Sequence, residues 1–136
     1  MNSKIPRAIL IFFILFLLFV KLPPSVSALN SFTKYSGNPI LSPTSGQWDS
    51  DRAWQQAIII DGQEYKMWYT GYNGLKFQIG LAQSVDGITW TKNSNNPVIS
   101  RLFIDNKDAN SPTILFENSS YRMWYVGSNN VEASIY

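Results

Sequence analysis

The chain has 136 residues, a formal net charge of +2, and neither histidine nor cysteine. The lack of histidine excludes serine-triad chemistry, a histidine general base and most zinc sites, and neither a metal nor a cofactor is expected. This length predicts one domain. Because the chain has no cysteine, an exported form of it would rely on packing rather than on disulfides.

The N-terminal segment, residues 1–28, is predicted to be a cleaved signal peptide. Lys4 and Arg7 precede an apolar run at residues 8–20, and small residues lead up to a cleavage site after Ala28. An uncleaved membrane anchor is the alternative, but the run is shorter than the ~20 residues that a spanning helix needs. Cleavage predicts a secreted, extracytoplasmic protein that meets a membrane only if this segment stays uncleaved.

Removal of this segment changes the charge of the chain. The segment carries the basic residues Lys4, Arg7 and Lys21 and no acidic residue, so the remaining chain has a net charge of −1. A weakly acidic domain lacks the basic patch that nucleic-acid binding requires. No nucleic-acid partner is therefore expected.

Residues 29–136 contain an internal repeat. The stretch Tyr65–Gly71 (Tyr-Lys-Met-Trp-Tyr-Thr-Gly) returns as Tyr121–Gly127 (Tyr-Arg-Met-Trp-Tyr-Val-Gly). Asn38–Leu41 returns as Asn96–Ile99 at a slightly longer offset, which fits one loop insertion between the units. Self-similarity at a nearly fixed offset is the signature of a repeat architecture.

The first unit predicts a meander of antiparallel strands with tight turns at Asp61-Gly62 and Asp86-Gly87. Alternation in the second strand places Met67 and Tyr69 on one face and Trp68 on the other, so both faces of the sheet are expected to be covered. The predicted strands are, in order, about Trp54–Ile60, Glu64–Thr70, Lys76–Gln83 and Ile88–Trp90.

The second unit repeats this pattern with strands at Pro112–Phe116 and Tyr121–Gly127, and reaches the third strand at Tyr136. Phe32–Lys34 aligns with the end of the first unit and predicts a lone N-terminal closing strand. The fold predicted for residues 29–136 is therefore an all-β, partial β-propeller of about one and a half blades plus this strand. Blade one covers about residues 48–92 and the incomplete blade two about 105–136; a β-sandwich with coincidental similarity is the alternative.

These motifs resemble the five-bladed β-propeller glycosidase superfamily, in both its arabinanase and β-xylosidase type and its invertase and levansucrase type, which are glycoside hydrolase families 43 and 32. The resemblance covers residues 32–136, the first two of five blades, and implies an N-terminal fragment. Ser84–Trp90 also resembles the Asp-box of sialidase propellers and is interpreted as structural. The motifs that carry the resemblance are Asn38–Leu41, Trp48-Asp49, Tyr65–Gly71 and Ile79–Trp90.

The resemblance also implies carboxylates around a central channel, because glycosidic cleavage needs one carboxyl group to protonate the leaving oxygen and another to activate water or attack the sugar. Family members place an acid/base carboxylate on blade one, an auxiliary Asp on blade two and a Glu on blade three. The first two usually stand directly before a proline or small residue at the head of the first strand. This chain has Gln55 and Ser111 there, which is a departure from the family pattern.

The candidate catalytic residues are Asp51 and Asp108, with Asp49 as the alternate, because these acids precede the first strand of their blades. The resemblance implies a general base for Asp51 and a sugar-orienting role for Asp108; solvated loop acids are the alternative. Trp48, Trp54 and Gln55 are candidate substrate-binding residues, since an exposed indole can stack on a sugar ring. Packing is the alternative for both tryptophans, and it is the expected role of three others, Trp68, Trp90 and Trp124.

The predicted function is that of a secreted carbohydrate-active protein, the N-terminal part of a glycoside hydrolase-like propeller acting on plant or microbial polysaccharide. Its expected partner is an oligo- or polysaccharide. Two alternatives remain open at this point: a propeller that binds glycans without cleaving them, which the absent carboxylates favour, and an inactive truncated fragment.

Overall fold

The computed structural model describes residues 32–100, 107–129 and 131–136. In this part of the chain the regular structure is entirely β and forms two antiparallel sheets. The strands are β1 (Arg52–Asp61), β2 (Glu64–Tyr72), β3 (Phe77–Ser84), β4 (Thr91–Lys92), β5 (Asp108–Glu117), β6 (Ser120–Ser128) and β7 (Ala133–Ile135). The first sheet has the order β1-β2-β3-β4 and the second the order β5-β6-β7.

Two predictions concern the N-terminal part of the chain. The signal peptide, residues 1–28, lies outside the described residues. Phe32–Lys34, predicted as a closing strand, form no strand with the two sheets of the described chain, and their role in closing a final blade stays a prediction. None of the described residues belongs to a helix long and apolar enough to cross a membrane.

Strands β1 to β4 form blade one, which begins with a hairpin. The register runs from Arg52 opposite Tyr72 to Asp61 opposite Glu64. Gly62 follows β1 with a φ of 65°, a backbone conformation that favours glycine. The predicted hairpin is therefore confirmed, although both of its strands extend to the pair Arg52 and Tyr72, beyond their predicted ends.

Strands β5 to β7 form blade two and repeat the geometry of blade one. Asp108 lies opposite Ser128 at the position where blade one pairs Arg52 with Tyr72. Each first strand also carries a β-bulge, and the bulge residues Gln55 and Ser111 have φ angles of 51° and 53°. Two sheets with the same register and the same bulge are successive blades, so the all-β propeller architecture is confirmed.

The two blades pack face to face with their strands in the same orientation. Near the starts of β1 and β5, the N–H of Ser111 donates to Thr70 Oγ1 at 3.0 Å. Near the first hairpin, Lys66 Nζ donates to Tyr121 Oη at 2.7 Å. The blades therefore share a strand-start edge, where β1 and β5 begin and β2 and β6 end, and an opposite hairpin edge.

Alternation in β2 divides the apolar side chains of blade one between two cores. Met67 and Tyr69 are buried on one face. Trp68 and Ile79 are buried on the other face, against Ala109 of blade two. Both faces of this blade therefore bury apolar side chains, as the pattern predicts, although Ile58 on the Tyr69 face is 45% exposed.

The three tryptophans expected in the core differ in burial. Trp68 is 7% exposed, and the half-buried Trp90 packs edge-on to Tyr65 with ring centroids 6.5 Å apart. Trp124 is 42% exposed, so the described chain does not bury this residue as expected. The face of blade two that carries Trp124 has no further sheet against it in the described chain.

The fourth strand of blade one also differs from its prediction. The sequence places it at Ile88–Trp90, whereas β4 is Thr91–Lys92. The cause is Asp86, whose Oδ1 accepts the N–H groups of Ile88 and Thr89 at 2.8 and 2.7 Å and so forms a turn. This is the structural role that the resemblance to an Asp-box implies.

The Asp86 turn gives the fold a pH-dependent contribution. The N–H groups of Thr89 and Ile88 stabilise the ionised carboxylate and lower the pKa of Asp86 from 3.8 to about 2. A folded-state pKa below the unfolded one means that this stabilisation is complete above pH 3.8 and is lost as the pH falls towards 2. Asp86→Ala is therefore expected to lower the melting temperature at neutral pH and to have almost no effect near pH 2.

Asn73→Ala is the matched control for this prediction. Its Oδ1 accepts the N–H groups of Leu75 and Lys76 at 3.2 Å each, but an amide does not titrate. Calorimetric melting of the three proteins across the acid range should show a constant deficit for Asn73→Ala and a shrinking one for Asp86→Ala. A constant deficit for both variants would contradict the assigned role of the carboxylate.

Candidate functional site

The strand-start edge holds the two acids nominated from the sequence. Asp51 directly precedes β1, and its N–H donates to the carbonyl of Tyr72 at 2.9 Å. Its half-exposed carboxylate lies 3.4 Å from Nε of Arg52. Asp108 begins β5 opposite Ser128, and its Oδ1 atom is buried. Both acids therefore lie at one edge of the two blades, as their order in the chain predicts.

The two acids do not occupy equivalent places in their blades. In the common register, Asp108 corresponds to Arg52, and Asp51 corresponds to Lys107. On blade one the acidic residue comes first, as Asp51-Arg52. On blade two the basic residue comes first, as Lys107-Asp108. The repeat therefore does not relate the two carboxylates to each other. Asp51 and Asp108 lie at different positions of their blades and have different neighbours.

Lys107 fixes the start of blade two. Its Nζ donates to Glu132 Oε1 at 2.7 Å and to Tyr136 Oη at 2.6 Å. These bonds, with Glu132 the stronger influence, raise the pKa of Lys107 above its ordinary value. Lys107 is thus a cation held by two bonds, next to Asp108 in the chain.

Asp49, the alternate candidate, is fully buried. Its Oδ2 accepts from Lys92 Nζ at 2.5 Å and from Tyr69 Oη at 3.2 Å, and its Oδ1 accepts the N–H of Thr44 at 3.3 Å. Burial, together with the charge of Asp49, raises the pKa of Tyr69, which therefore stays a neutral donor. Asp49 ties the loop before β1 to the sheet, and a catalytic role for it stays a prediction.

Trp48 lies over two glycines of blade one. A Cβ on Gly80 would come within 2.5 Å of Cζ2 of the indole, and a Cβ on Gly71 would also overlap the ring. The ring centroid is 5.5 Å from that of Tyr69. These two glycines create the space that the half-buried indole fills, and the sugar-platform role of Trp48 stays a prediction.

Trp54 belongs to an arginine–aromatic cluster at the strand-start edge, formed by Arg52, Trp54, Tyr72 and Phe77. Tyr72 and Phe77 stack with centroids 4.5 Å apart, and Trp54 meets Phe77 edge-on at 5.7 Å. The guanidinium carbon of Arg52 is 5.6 Å from the Trp54 ring and 5.7 Å from the Tyr72 ring. The cluster combines an exposed cation with half-buried rings, which suits a polar ligand with an apolar face.

Only Trp54 of this cluster was nominated from the sequence. Arg52 and Phe77 are both cross-strand partners of Tyr72 in the observed register, so one residue organises the group. The predicted second strand ends at Thr70, two residues before Tyr72. Had the predicted second strand continued to Tyr72, the sequence would have predicted that Arg52, Tyr72 and Phe77 lie side by side.

Gln55 and Ser111 stand at the bulges of β1 and β5, where the family resemblance implies carboxylates. Gln55 is exposed beside Trp54, and its left-handed backbone sets it out of the regular alternation of β1. The N–H of Ser111 is engaged with Thr70 Oγ1. The bulges place polar amide and hydroxyl groups at this edge, and the substrate-binding role of Gln55 stays a prediction.

The edge as a whole offers one exposed carboxylate, one partly buried carboxylate, a guanidinium and aromatic rings. Hydroxyl groups of a sugar can bond to the charged groups, and its C–H face can pack on the rings. Acidic residues grouped closely enough to hold a metal ion are not found among residues 32–100, 107–129 and 131–136.

The sequence model described as glycosyl hydrolases family 32 N-terminal domain matches residues 27–136 of the chain. No curated protein matches this chain.

The solved structures that share its fold include the following three. A glycosyl hydrolase from Bacteroides ovatus is 18% identical with a TM-score of 0.61, over 77% of this chain and 36% of that one. A structure from the family 130 mannoside phosphorylases, which contain glycoside hydrolases that target β-1,2-mannosidic linkages in Candida mannan, is 20% identical with a TM-score of 0.63, over 84% and 38%. A family 32 β-fructofuranosidase from Bombyx mori is 23% identical with a TM-score of 0.53, over 61% and 19%. The chain spans less than two fifths of each of these structures.

Proposed function

The chain belongs to the family of the glycosyl hydrolases family 32 N-terminal domain, and from this we propose that it is part of a secreted, carbohydrate-active propeller acting on plant or microbial polysaccharide. Its share of the site is the strand-start edge of two blades. The proposal concerns the complete protein, because the chain spans only part of the length of the structures it resembles.

The observation that carries the proposal is the arginine–aromatic cluster beside Asp51. Arg52 lies between the carboxylate of Asp51 and the rings of Trp54 and Tyr72, so a polar and an apolar surface meet at one place. Carbohydrate rings present the same combination of hydroxyl groups and C–H faces. A sugar is therefore the ligand that this surface fits best.

For hydrolysis, Asp51 acts as the general base and Asp108 orients the sugar and adjusts the pKa of the acid on a third blade by its charge. The exposure of Asp51 supports its role, because a base that activates water must be reached by water.

A second candidate function is glycan binding without cleavage. It is favoured by one observation: the bulge positions, where the family resemblance implies carboxylates, hold Gln55 and Ser111. An amide and a hydroxyl can bond to sugar hydroxyls but cannot act as a general base at neutral pH. The turnover measurement described for Asp51 in the Discussion separates the two functions.

Export is part of the proposal and rests on residues 1–28 alone. N-terminal sequencing of the protein recovered outside its cell is expected to begin at Leu29. Membrane-bound material that still begins at Met1 would show that this segment acts as an anchor.

Arg52→Ala is expected to weaken glycan binding by about ten- to a hundredfold, since a hydrogen bond to a charged group contributes about 1.5–3 kcal/mol. Titration calorimetry with fragments of arabinan, xylan, fructan and mannan gives the measurement and identifies the class of glycan that binds. Retained affinity in Arg52→Ala would place the sugar elsewhere.

Arg122→Ala is the matched control for this prediction. Arg122 is 60% exposed and pairs with Glu117 at 2.8 Å, while Arg52 is 63% exposed and pairs with Asp51. The two arginines differ in location, because Arg122 lies near the hairpin edge. Arg122→Ala should therefore bind glycan as the unaltered protein does.

A further inference from the structure

Thr70 is a polar residue buried in the contact between the two blades. It is 0% exposed and lies on β2, opposite Trp54 of β1 and Ile79 of β3. Alternation places it on the same face as Trp68, the face that packs on blade two. Burying a hydroxyl group costs free energy unless the group is hydrogen-bonded. The Oγ1 atom of Thr70 meets this need by accepting the N–H of Ser111, on blade two, at 3.0 Å.

This bond reaches the backbone of blade two at its bulge. The register between β5 and β6 skips two residues, Ser111 and Pro112, which stand at the bulge. Ser111 also has a φ of 53°, a left-handed conformation that costs free energy in a residue other than glycine. Such a conformation persists only where the surroundings hold it. The hydroxyl of Thr70 is a contact from the neighbouring blade that holds this bulge.

The internal repeat shows that the strand itself does not need a hydroxyl group at this position. The counterpart of Thr70 in blade two is Val126, which occupies the same place in the register of its blade. Valine has nearly the shape of threonine but no hydroxyl group, and β6 pairs with β5 in the same way as β2 pairs with β1. The hydroxyl of Thr70 is therefore explained by its bond to Ser111 and not by the requirements of β2.

The segment that this bond holds carries polar groups of the strand-start edge. Ser111 Oγ donates to Asn110 Oδ1 at 3.0 Å, and Asn110 Nδ2 donates to Ser128 Oγ at 3.2 Å. Ser128 in turn lies opposite Asp108, the acid assigned to orient the sugar. A movement of the bulge is therefore passed to Asp108 both through β5 and through these side chains.

We propose that Thr70 is a positioning residue of the site: its hydroxyl fixes the bulge at Ser111 and thereby holds Asp108 in the orientation that meets the sugar. The effect on the sugar rests on the proposed function, whereas the effect on the bulge does not. Because Thr70 is fully buried, it acts on the sugar only through blade two. Small displacements of a group that orients a substrate can lower the rate by on the order of a hundredfold.

Amide hydrogen exchange of the complete protein tests the effect on the bulge. Thr70→Val removes the hydroxyl and keeps the shape, so the N–H of Ser111 is expected to exchange about fivefold faster or more. Thr70→Ser keeps the hydroxyl and should retain the slow exchange. The N–H of Ile79, which donates to the carbonyl of Ile99 at 2.8 Å, is the internal control and should be unchanged in both variants. Equally slow exchange of Ser111 in Thr70→Val, or equal acceleration at Ile79, would overturn the inference.

Glycan affinity, measured by titration calorimetry with the glycan class that binds, tests the effect on the sugar. Thr70→Val is expected to weaken binding about fivefold, and Thr70→Ser to restore it. Because Thr70 acts through Asp108, adding Thr70→Val to Asp108→Asn should weaken binding little beyond Asp108→Asn alone. Fully additive losses would mean that Thr70 has only a structural role, and they would overturn the proposal.

Circular dichroism reports whether each variant folds, and Thr70→Ala is a second variant without the hydroxyl in case Thr70→Val does not fold. If the unaltered protein binds no glycan, the proposed function fails, while the exchange of Ser111 still decides whether Thr70 holds the bulge. A folded Thr70→Val that exchanges faster at Ser111 but binds glycan as tightly as the unaltered protein would overturn the link between the bulge and the sugar.

Discussion

Asp51→Asn in the complete protein is expected to lower turnover of the bound glycan by about a hundredfold or more, the usual effect of removing a general base. Asn has nearly the shape of Asp, so the packing against Arg52 remains while the proton acceptor is lost. Asp51 is half exposed and holds no buried contact, so the fold should be unaffected. Initial rates on fragments of the glycan class that binds give the measurement, with substrate affinity measured separately.

Asp108→Asn and Asp49→Asn complete this experiment. Asp108→Asn should lower turnover less than Asp51→Asn and shift its pH profile, because it changes the charge near the acid of the third blade. Asp49→Asn should lower stability, because Asp49 is buried against Lys92. If Asp51→Asn keeps full turnover while a folded Asp49→Asn loses it, Asp49 is the base. An active enzyme insensitive to all three changes would have its base elsewhere, and a protein that binds glycan without turnover would be a binding propeller.

Most of the fold could be predicted from the internal repeat in the sequence. The stretch Tyr65–Gly71 and its copy fix the period, and the alternation within them fixes which face each ring occupies. Both results appear in the structure as equal registers and as separate cores around Tyr69 and Trp68. A repeat is informative because it states the pattern of one blade twice.

Strand ends were less predictable, and they decide the site. The sequence placed the first strands from Trp54 and from Pro112, which made Asp51 and Asp108 look like equivalent loop acids. The bulges at Gln55 and Ser111 let both strands continue beyond these points, so Asp108 lies within β5 while Asp51 precedes β1. A bulge inserts a residue without changing the hydrophobic pattern in any obvious way.

Contacts between distant residues were not predictable from one sequence. Asp49 and Lys92 are separated by 43 positions and lie on a loop and an outer strand. Nothing in the composition of either segment distinguishes Asp49 from a solvated acid such as Asp51. The distinction arises only when the loop folds over the sheet and Trp48 covers the two glycines.

That buried pair leads to the largest expected effect on stability. Lys92→Met is expected to lower the free energy of unfolding by about 3–5 kcal/mol, because it leaves a buried carboxylate without its cation. Asp49 is 0% exposed, and Lys92 Nζ lies 2.5 Å from its Oδ2. Lys92 also donates to the carbonyl of Ser42 at 2.6 Å and to Thr44 Oγ1 at 2.8 Å, so the loop before β1 loses three bonds at once.

Lys66→Met is the matched control, since Lys66 lies at the same 2.5 Å from Asp61 but in a pair whose two side chains are 20% and 27% exposed. A pair that water reaches contributes about 0–1 kcal/mol, so this variant should lose far less stability. Urea unfolding followed by tryptophan fluorescence measures both variants. The double variant Asp49→Leu with Lys92→Met should recover part of the loss, because an apolar pair leaves no buried charge. Equal losses for Lys92→Met and Lys66→Met would mean that the Asp49 carboxylate is reached by solvent, and it would then return as a candidate for the general base.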